Sequence, residues 1–252
     1  TSGTTGPAKP LLVPLKAIVA FQSYTRDAVD LRPEDAFWNL ADPGWAYGIY
    51  FGITGPLSLG HPITLYDGPF TVESTCRVIK KYGITNLTGS PTAYRMLIAA
   101  GKTFAEPIKG QLRAVSSAGE PLNPEVIRWF AEHLDVTIHD HYGQTEVGMV
   151  LCNHHGLDHP VHMGAAGFAS PGHRIVVLDD NHQELPVGQP GILAVDRSQS
   201  PMCWFGGYHG FTTKAFVGDY YLSGDTVELN PDGSISFVGR SDDVITTSGY
   251  RV

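Results

Sequence analysis

The sequence predicts an α/β protein: a mixed, mostly parallel sheet flanked by helices, followed by a small antiparallel β lobe. Three observations lead there. Up to about residue 136, helix-like and strand-like segments alternate, the pattern of a partly parallel sheet with helices on its faces. After about Gly164 the chain changes to short β-prone runs separated by Pro, Gly, Asn and Asp, which suits antiparallel strands joined by tight turns. At 252 residues, 42% of them apolar, there is material for a large core divided between two lobes, with subdomain boundaries expected at 1–163 and 164–240.

In chain order, helices are expected at 12–24 and 45–59, then a short strand at 63–66. A helix at 72–81 precedes a strand at 84–88, and a helix at 91–100 precedes a strand at 112–116. The fifth helix, 124–133, has the clearest start, because Asn123 suits the N-cap and Pro124 the first helical position. A strand at 136–139 closes this half. In the second half strands are expected at 174–178, 191–195, 220–223 and 235–238. Asn230-Pro231-Asp232-Gly233 is a hairpin turn by its chemistry, since Pro presets one dihedral and Asp and Gly tolerate the others. There is no internal repeat or heptad pattern.

Composition excludes several classes. The longest apolar stretch, 45–57, contains Gly and Pro and falls short of the roughly 18 residues a membrane span needs. The N-terminus has neither a basic region nor a signal-like apolar core, and three cysteines, Cys76, Cys152 and Cys203, cannot all pair within one chain. A reducing, cytoplasmic setting is therefore expected. A net charge of −8 disfavours a broad nucleic-acid surface, which gains affinity by neutralising phosphates with Lys and Arg. Any phosphate site must be local.

The first residues suit such a site. Thr1, Ser2, Gly3, Thr4, Thr5, Gly6 and Lys9 place hydroxyls, turn-permissive glycines and one cation in a segment free of large apolar residues, which can turn N–H groups toward an anion. It is not a Walker A loop, because the two glycines are three apart and Pro10 follows Lys9. Taken alone it reads equally as a linker. Three more polar clusters lie at expected strand ends, where open α/β sheets place ligands. In Ser116-Ser117-Ala118-Gly119-Glu120-Pro121, Gly119 would let backbone approach a planar ring, or the run is a plain strand-to-helix turn. In Asp140-His141-Tyr142-Gly143-Gln144-Thr145-Glu146, Tyr142 could stack on a base, Thr145 donate to a phosphate oxygen and Glu146 hold a hard cation such as Mg²⁺. The bland reading is a polar turn. Asp225 and Arg240, across a hairpin, suit the two hydroxyls of a ribose, or are surface charges. A competing zinc reading of His139, His141, His154, His155, His159 and His162 with Cys152 is disfavoured, because the spacing fits no structural zinc motif.

Taken together and in this order, these segments resemble the AMP-forming acyl-CoA synthetases of the adenylate-forming superfamily. Thr1 to Lys9 looks like its phosphate loop, Tyr142 to Glu146 like its Tyr-Gly-x-Thr-Glu motif, and Gly224-Asp225 with Gly239-Arg240 like its ribose segments. The resemblance implies that a carboxylic acid attacks the α-phosphorus of ATP, releasing pyrophosphate, and that the thiol of coenzyme A then displaces AMP. By motif position, the loop with Lys9 would enclose the β- and γ-phosphates, Thr145 would touch the α-phosphate and Glu146 would hold Mg²⁺. Lys9, Thr145 and Glu146 are thus the catalytic candidates. Gly119, Glu120, Pro121, Tyr142 and Gln144 would form the nucleotide site with Asp225, Arg240 and the phosphate-reaching Arg251. Residues 164–240 would be a barrel-like subdomain, and 241–252, with Asp242 as hinge, would lead into a C-terminal domain.

Three further expectations follow from the resemblance. Pro10 stands where the family loop continues with an N–H donor, so the loop's exit must differ. Gly143 stands where acetate-specific members carry Trp, which leaves the acyl pocket open and points to a medium-chain fatty acid. Gly143 could equally be a backbone requirement of the turn. The chain starts and stops at family segment boundaries, so it should be inactive alone and should self-associate through exposed apolar surface. The alternatives are transfer of the acyl group to a carrier protein, or a non-catalytic nucleotide-binding module.

Overall fold

The structure, a computed structural model, describes residues 1, 8–240, 246–247 and 250–251. Its parallel half consists of β1 (Phe37–Asn39), β2 (Ile63–Thr64), β3 (Asn86–Gly89), β4 (Ala114–Ala118) and β5 (Ile138–Gln144), in the spatial order β2-β1-β3-β4-β5. β6 (Gly148–Cys152) and β7 (Ala165–Ala169) continue the sheet antiparallel. The later strands are β8 (Ile175–Leu178), β9 (Pro190–Asp196), β10 (Phe216–Val217), β11 (Tyr220–Leu229) and β12 (Ile235–Arg240). They attach through β7 in the order β7-β12-β11-β9-β8, with β10 on β11, giving one mixed twelve-stranded sheet. The expected mixed sheet with helices is thereby borne out, and its pairing runs unbroken across residue 164.

The helices follow from local chemistry. α1 (Ala17–Ser23) starts five residues later than expected, since the Pro14 carbonyl accepts the Ala17 N–H in a preceding turn, and it then widens to a π-helical turn, Tyr24–Ala28. The expected helix at 45–59 is a π-helix, Tyr47–Thr54, running into α2 (Gly55–Ser58). Thr54 Oγ1 donates to the carbonyl of Ile49, five residues back, which matches the wider winding. α3 (Val72–Tyr82) has a Thr71/Ser74 capping box, Lys80 and Lys81 in its last turn, and a left-handed Gly83 at its end. α4 (Pro91–Ile98) is capped by Ser90, a short α5 (Lys102–Ala105) follows, and α6 (Pro124–Leu134) is capped by Asn123 as expected.

Strand side chains alternate between two cores. Trp38, Leu87, Val115 and Ile138 pack on α3 to α6 with Ile79, Leu97, Phe104 and Phe130. Phe37 and the antiparallel strands face the other core, around Phe21, Tyr24, Phe51, Leu151, Trp204 and Phe205. The parallel strands carry buried polar residues toward this second face: Asn86 Nδ2 donates to the Val29 carbonyl at 2.9 Å.

Candidate active site

β4 and β5 end side by side, and the cleft lies beyond their carboxyl ends, where parallel sheets place ligands. After β4 the chain reverses at Gly119, φ 102°, a conformation that disfavours any Cβ. Glu120 is then fixed from α4: Thr92 Oγ1 donates to Oε1 at 2.8 Å and Arg95 Nη2 to Oε2 at 3.0 Å. Gly119, Glu120 and Pro121 form one wall. The opposite wall is β5, which continues to Gln144, so the motif read as a polar turn is a strand as far as Gln144, with Thr145 and Glu146 in the turn after it. The third wall comes from β11 and β12, with Asp225, Phe237 and Arg240.

Asp225 is the centre of this arrangement. Its side chain is buried and accepts from the Tyr142 hydroxyl, from Gln144 Nε2 at 2.9 Å and from Arg240 Nη1 at 3.0 Å. Tyr221 in turn donates to Gln144 Oε1 at 2.8 Å. Burial and the neighbouring Asp225 carboxylate hold the Tyr142 phenol well above its ordinary pKa, so it stays a donor. Gly143 between them sits at a β-bulge against β6, and a Cβ there would lie 2.3 Å from the Gly148 carbonyl oxygen. Its lack of a side chain therefore has a backbone cause, whatever it does for acyl volume.

Asp140 also lines the cleft, and sequence reasoning did not assign it a role. Burial raises its pKa to about 8; Oδ2 accepts weakly from the Leu122 N–H, while Oδ1 is buried without a partner among the described residues. A polar chain lies behind it. Tyr47 donates to Tyr24 at 3.2 Å, Tyr24 to His141 Nδ1 at 2.8 Å, and His141 Nε2 to the Asn153 carbonyl at 3.2 Å, the directions being those that satisfy every member. His139 and His155 are also engaged: they stack with ring centroids 3.6 Å apart, and each donates to a backbone carbonyl. Among the described residues no group of three His, Cys, Asp or Glu could hold a metal ion, which leaves the zinc reading without a site.

The phosphate segment is described only at its ends. Between these ends the Lys9 N–H donates to the Thr1 carbonyl at 3.3 Å. Ser2, Gly3, Thr4, Thr5, Gly6 and Asp242 lie outside the described residues, as does the side chain of Arg251 on the short strand Tyr250–Arg251. Glu146 is half-buried, and its Oε1 accepts from the Tyr208 hydroxyl at 2.6 Å. Such a half-buried carboxylate fits Mg²⁺, which binds through one or two carboxylates and otherwise keeps water and substrate phosphates. Of the residues singled out in the sequence, Gly119, Glu120, Pro121, Tyr142, Gly143, Gln144, Asp225 and Arg240 converge on one cleft. Lys9 and Glu146 instead share a contact with Tyr208. Tyr208 and Phe237 were not singled out: Tyr208 stands in the Gly-rich run Gly206-Gly207-Tyr208-His209-Gly210, which reads as a turn, and Phe237 in the middle of an expected strand.

A polar cleft beyond the carboxyl ends of parallel strands defines an α/β protein with its candidate site where such folds place ligands. The chain belongs to the AMP-binding enzyme family, whose match covers residues 1–209. It is 36% identical over its whole length to an acetyl-coenzyme A synthetase of Bacillus subtilis and 34% identical to the mitochondrial acyl-coenzyme A synthetase ACSM3 of Rattus norvegicus. It covers 44% of each of these two, so it spans less than half the length of these curated relatives. Among solved structures it superposes on a Brucella canis acyl-CoA synthetase with a TM-score of 0.93 at 60% identity, covering 100% of this chain and 46% of that one. ATP-bound MatB of Rhodopseudomonas palustris, at 24% identity and a TM-score of 0.86 over 100% of this chain and 49% of that one, shares the fold.

Proposed function

We propose that this chain is the nucleotide- and acid-binding part of an AMP-forming acid–thiol ligase that makes acyl-CoA from ATP, a carboxylic acid and coenzyme A. The observation that carries this reading is the junction at Asp225, where Tyr142, Gln144 and Arg240 converge on one buried carboxylate beside an open cleft. Such a carboxylate and guanidinium suit the vicinal hydroxyls of a ribose, Tyr142 and the Gly119–Pro121 wall suit the faces of adenine, and Asp140 stands in the same cleft as a further polar contact. Lys9, Thr145 and a Mg²⁺ ion on Glu146 would oppose the charge of the polyphosphate while the acid carboxylate attacks the α-phosphorus and pyrophosphate leaves. The acyl-adenylate then loses AMP to the thiol of coenzyme A. Arg251 and the hinge at Asp242 are assigned by motif position alone.

We take the acid to be of medium chain length because Gly143 stands where acetate-specific members carry Trp, even though a Cβ at 143 would meet the backbone of β6. The Bacillus relative is named for acetate, so the chain-length profile decides between the two. The reading further holds that residues 1–252 alone do not turn over, since they span 44% of these relatives, and that the protein works in a reducing cytoplasm with Cys76, Cys152 and Cys203 free. The experiment is acid-dependent ATP–pyrophosphate exchange by the full-length protein with acids from acetate to decanoate and benzoate. A peak at medium length is expected. Exchange confined to acetate would overturn the acyl assignment, and none with any acid would overturn the ligase reading.

A further inference from the structure

The chain that follows β9 returns to the exit of the phosphate loop. Leu11 and Tyr208 form an isolated antiparallel bridge, and the His209 N–H donates to the Pro10 carbonyl at 2.8 Å. Pro10, which has no N–H to give, is thus anchored through its carbonyl instead. Gly207 precedes the bridge with φ 118°, and the Tyr208 ring packs edge-on against Phe205 at 5.1 Å. From this seat the side chain reaches in two directions. Lys9 Nζ lies over the ring, 5.3 Å from its centroid, and the hydroxyl donates to Glu146 Oε1 at 2.6 Å.

We propose that Tyr208 is a positioning residue that couples the phosphate-loop lysine to the magnesium carboxylate, so that metal and polyphosphate are bound as one unit. The inference rests on the ligase reading of Lys9 and Glu146. A short hydroxyl–carboxylate bond is charge-assisted and fixes the carboxylate plane. Mg²⁺ demands near-octahedral geometry, so a carboxylate free to rotate holds it poorly. The ring has a second effect, on the lysine. Holding Lys9 over the π-face keeps its charge available at the cost of a weak contact.

The test is calorimetric titration of ATP into the full-length protein across free Mg²⁺ concentrations, with Tm measured for each variant. Tyr208→Phe keeps the ring and removes the hydroxyl. It is expected to leave the protein folded with at most a modest fall in Tm, to leave metal-free ATP affinity unchanged and to raise the Mg²⁺ concentration needed for tight ATP binding about tenfold, the equivalent of roughly 1.4 kcal/mol. Tyr208→Leu removes the ring as well and is expected to weaken metal-free ATP binding by a further factor of about 2–5. Wild-type Mg²⁺ dependence in Tyr208→Phe, or a Tyr208→Phe protein that no longer folds, would overturn the inference while leaving the ligase reading intact. A wild type that binds ATP without regard to Mg²⁺ would overturn the role of Glu146 and this inference with it. No ATP binding by the wild type would overturn the ligase reading itself.

Discussion

Asp225 shows how much can depend on one carboxylate. It is buried, 95% of its side chain being out of solvent, and holds three donors from two different parts of the chain. Replacing it with Asn keeps the shape and removes the charge, leaving Arg240 with no carboxylate on that side. Asp225→Asn is expected to lower unfolding stability by roughly 1.5–3 kcal/mol in urea titrations, the range for hydrogen bonds to charged groups. Because Tyr142 shares the same carboxylate, Tyr142→Phe and Asp225→Asn should be clearly non-additive. Additive losses would mean the two side chains do not act as a unit. At this scale the sequence was legible where a residue type is rare in its setting: Asp225 and Arg240, singled out as a pair across a hairpin, do meet in the cleft. It was silent on Asp140 and Tyr208, whose importance comes from what stands opposite them.

β5 carries an opposed pair of titrations. Burial pushes His139 and His141 below the ordinary histidine value of 6.5 and takes the neighbouring His154 and His155 to about 4 and about 3. Asp140, between two of them in sequence, goes the other way, from 3.8 to about 8. The signs follow from proton counts. Below 6.5 the unfolded chain binds more protons at the histidines than the folded one, so their contribution is lost as pH falls toward their depressed values. Between 3.8 and 8 the folded chain binds more at Asp140, so that contribution is lost as pH rises through this range. Stability should therefore peak near neutrality and decline on both sides. Urea midpoints measured from pH 5 to pH 9 should show it, and Asp140→Asn should flatten the alkaline limb and steepen the acid one; an unchanged alkaline limb would refute the buried-acid reading. β5 also marks where sequence patterning stops. Its first half has the β-prone character that predicts a strand, whereas 140–144 is as polar as a loop and is extended because β4 pairs with β5 as far as His141 and β6 takes over from His141 to Gln144. β7, Ala165–Ala169, was invisible for a related reason: small residues carry no period, and neighbours decide their conformation. Capped helices were legible because Thr71, Ser90 and Asn123 act locally.

At the scale of the molecule, the two cores leave apolar side chains uncovered. Leu12, Leu15 and Val19 lead into and along α1, exposed by 69%, 86% and 49%, and Trp45 and Leu57 flank the π-helix that packs beside it. Exposed apolar residues gathered on adjacent helices favour association. Sedimentation of the 252-residue chain is expected to show concentration-dependent oligomers, and a clean monomer at high concentration would contradict this. No helix among the described residues is long and apolar enough to cross a membrane. The mixed architecture was legible because alternation of helix and strand is a long-range pattern that survives local errors. The seam was not, because β7 pairs with β12, far along the chain. That seam sets an order of events. Tyr142 and Asp225 are separated by 83 positions and meet only when β12 and β11 have docked on β7. Contacts of such span form late and slowly. During synthesis, then, the parallel half emerges and can collapse on its own core before Arg240 leaves the ribosome, and the junction of Tyr142, Asp225 and Arg240 comes into being only as β12 closes.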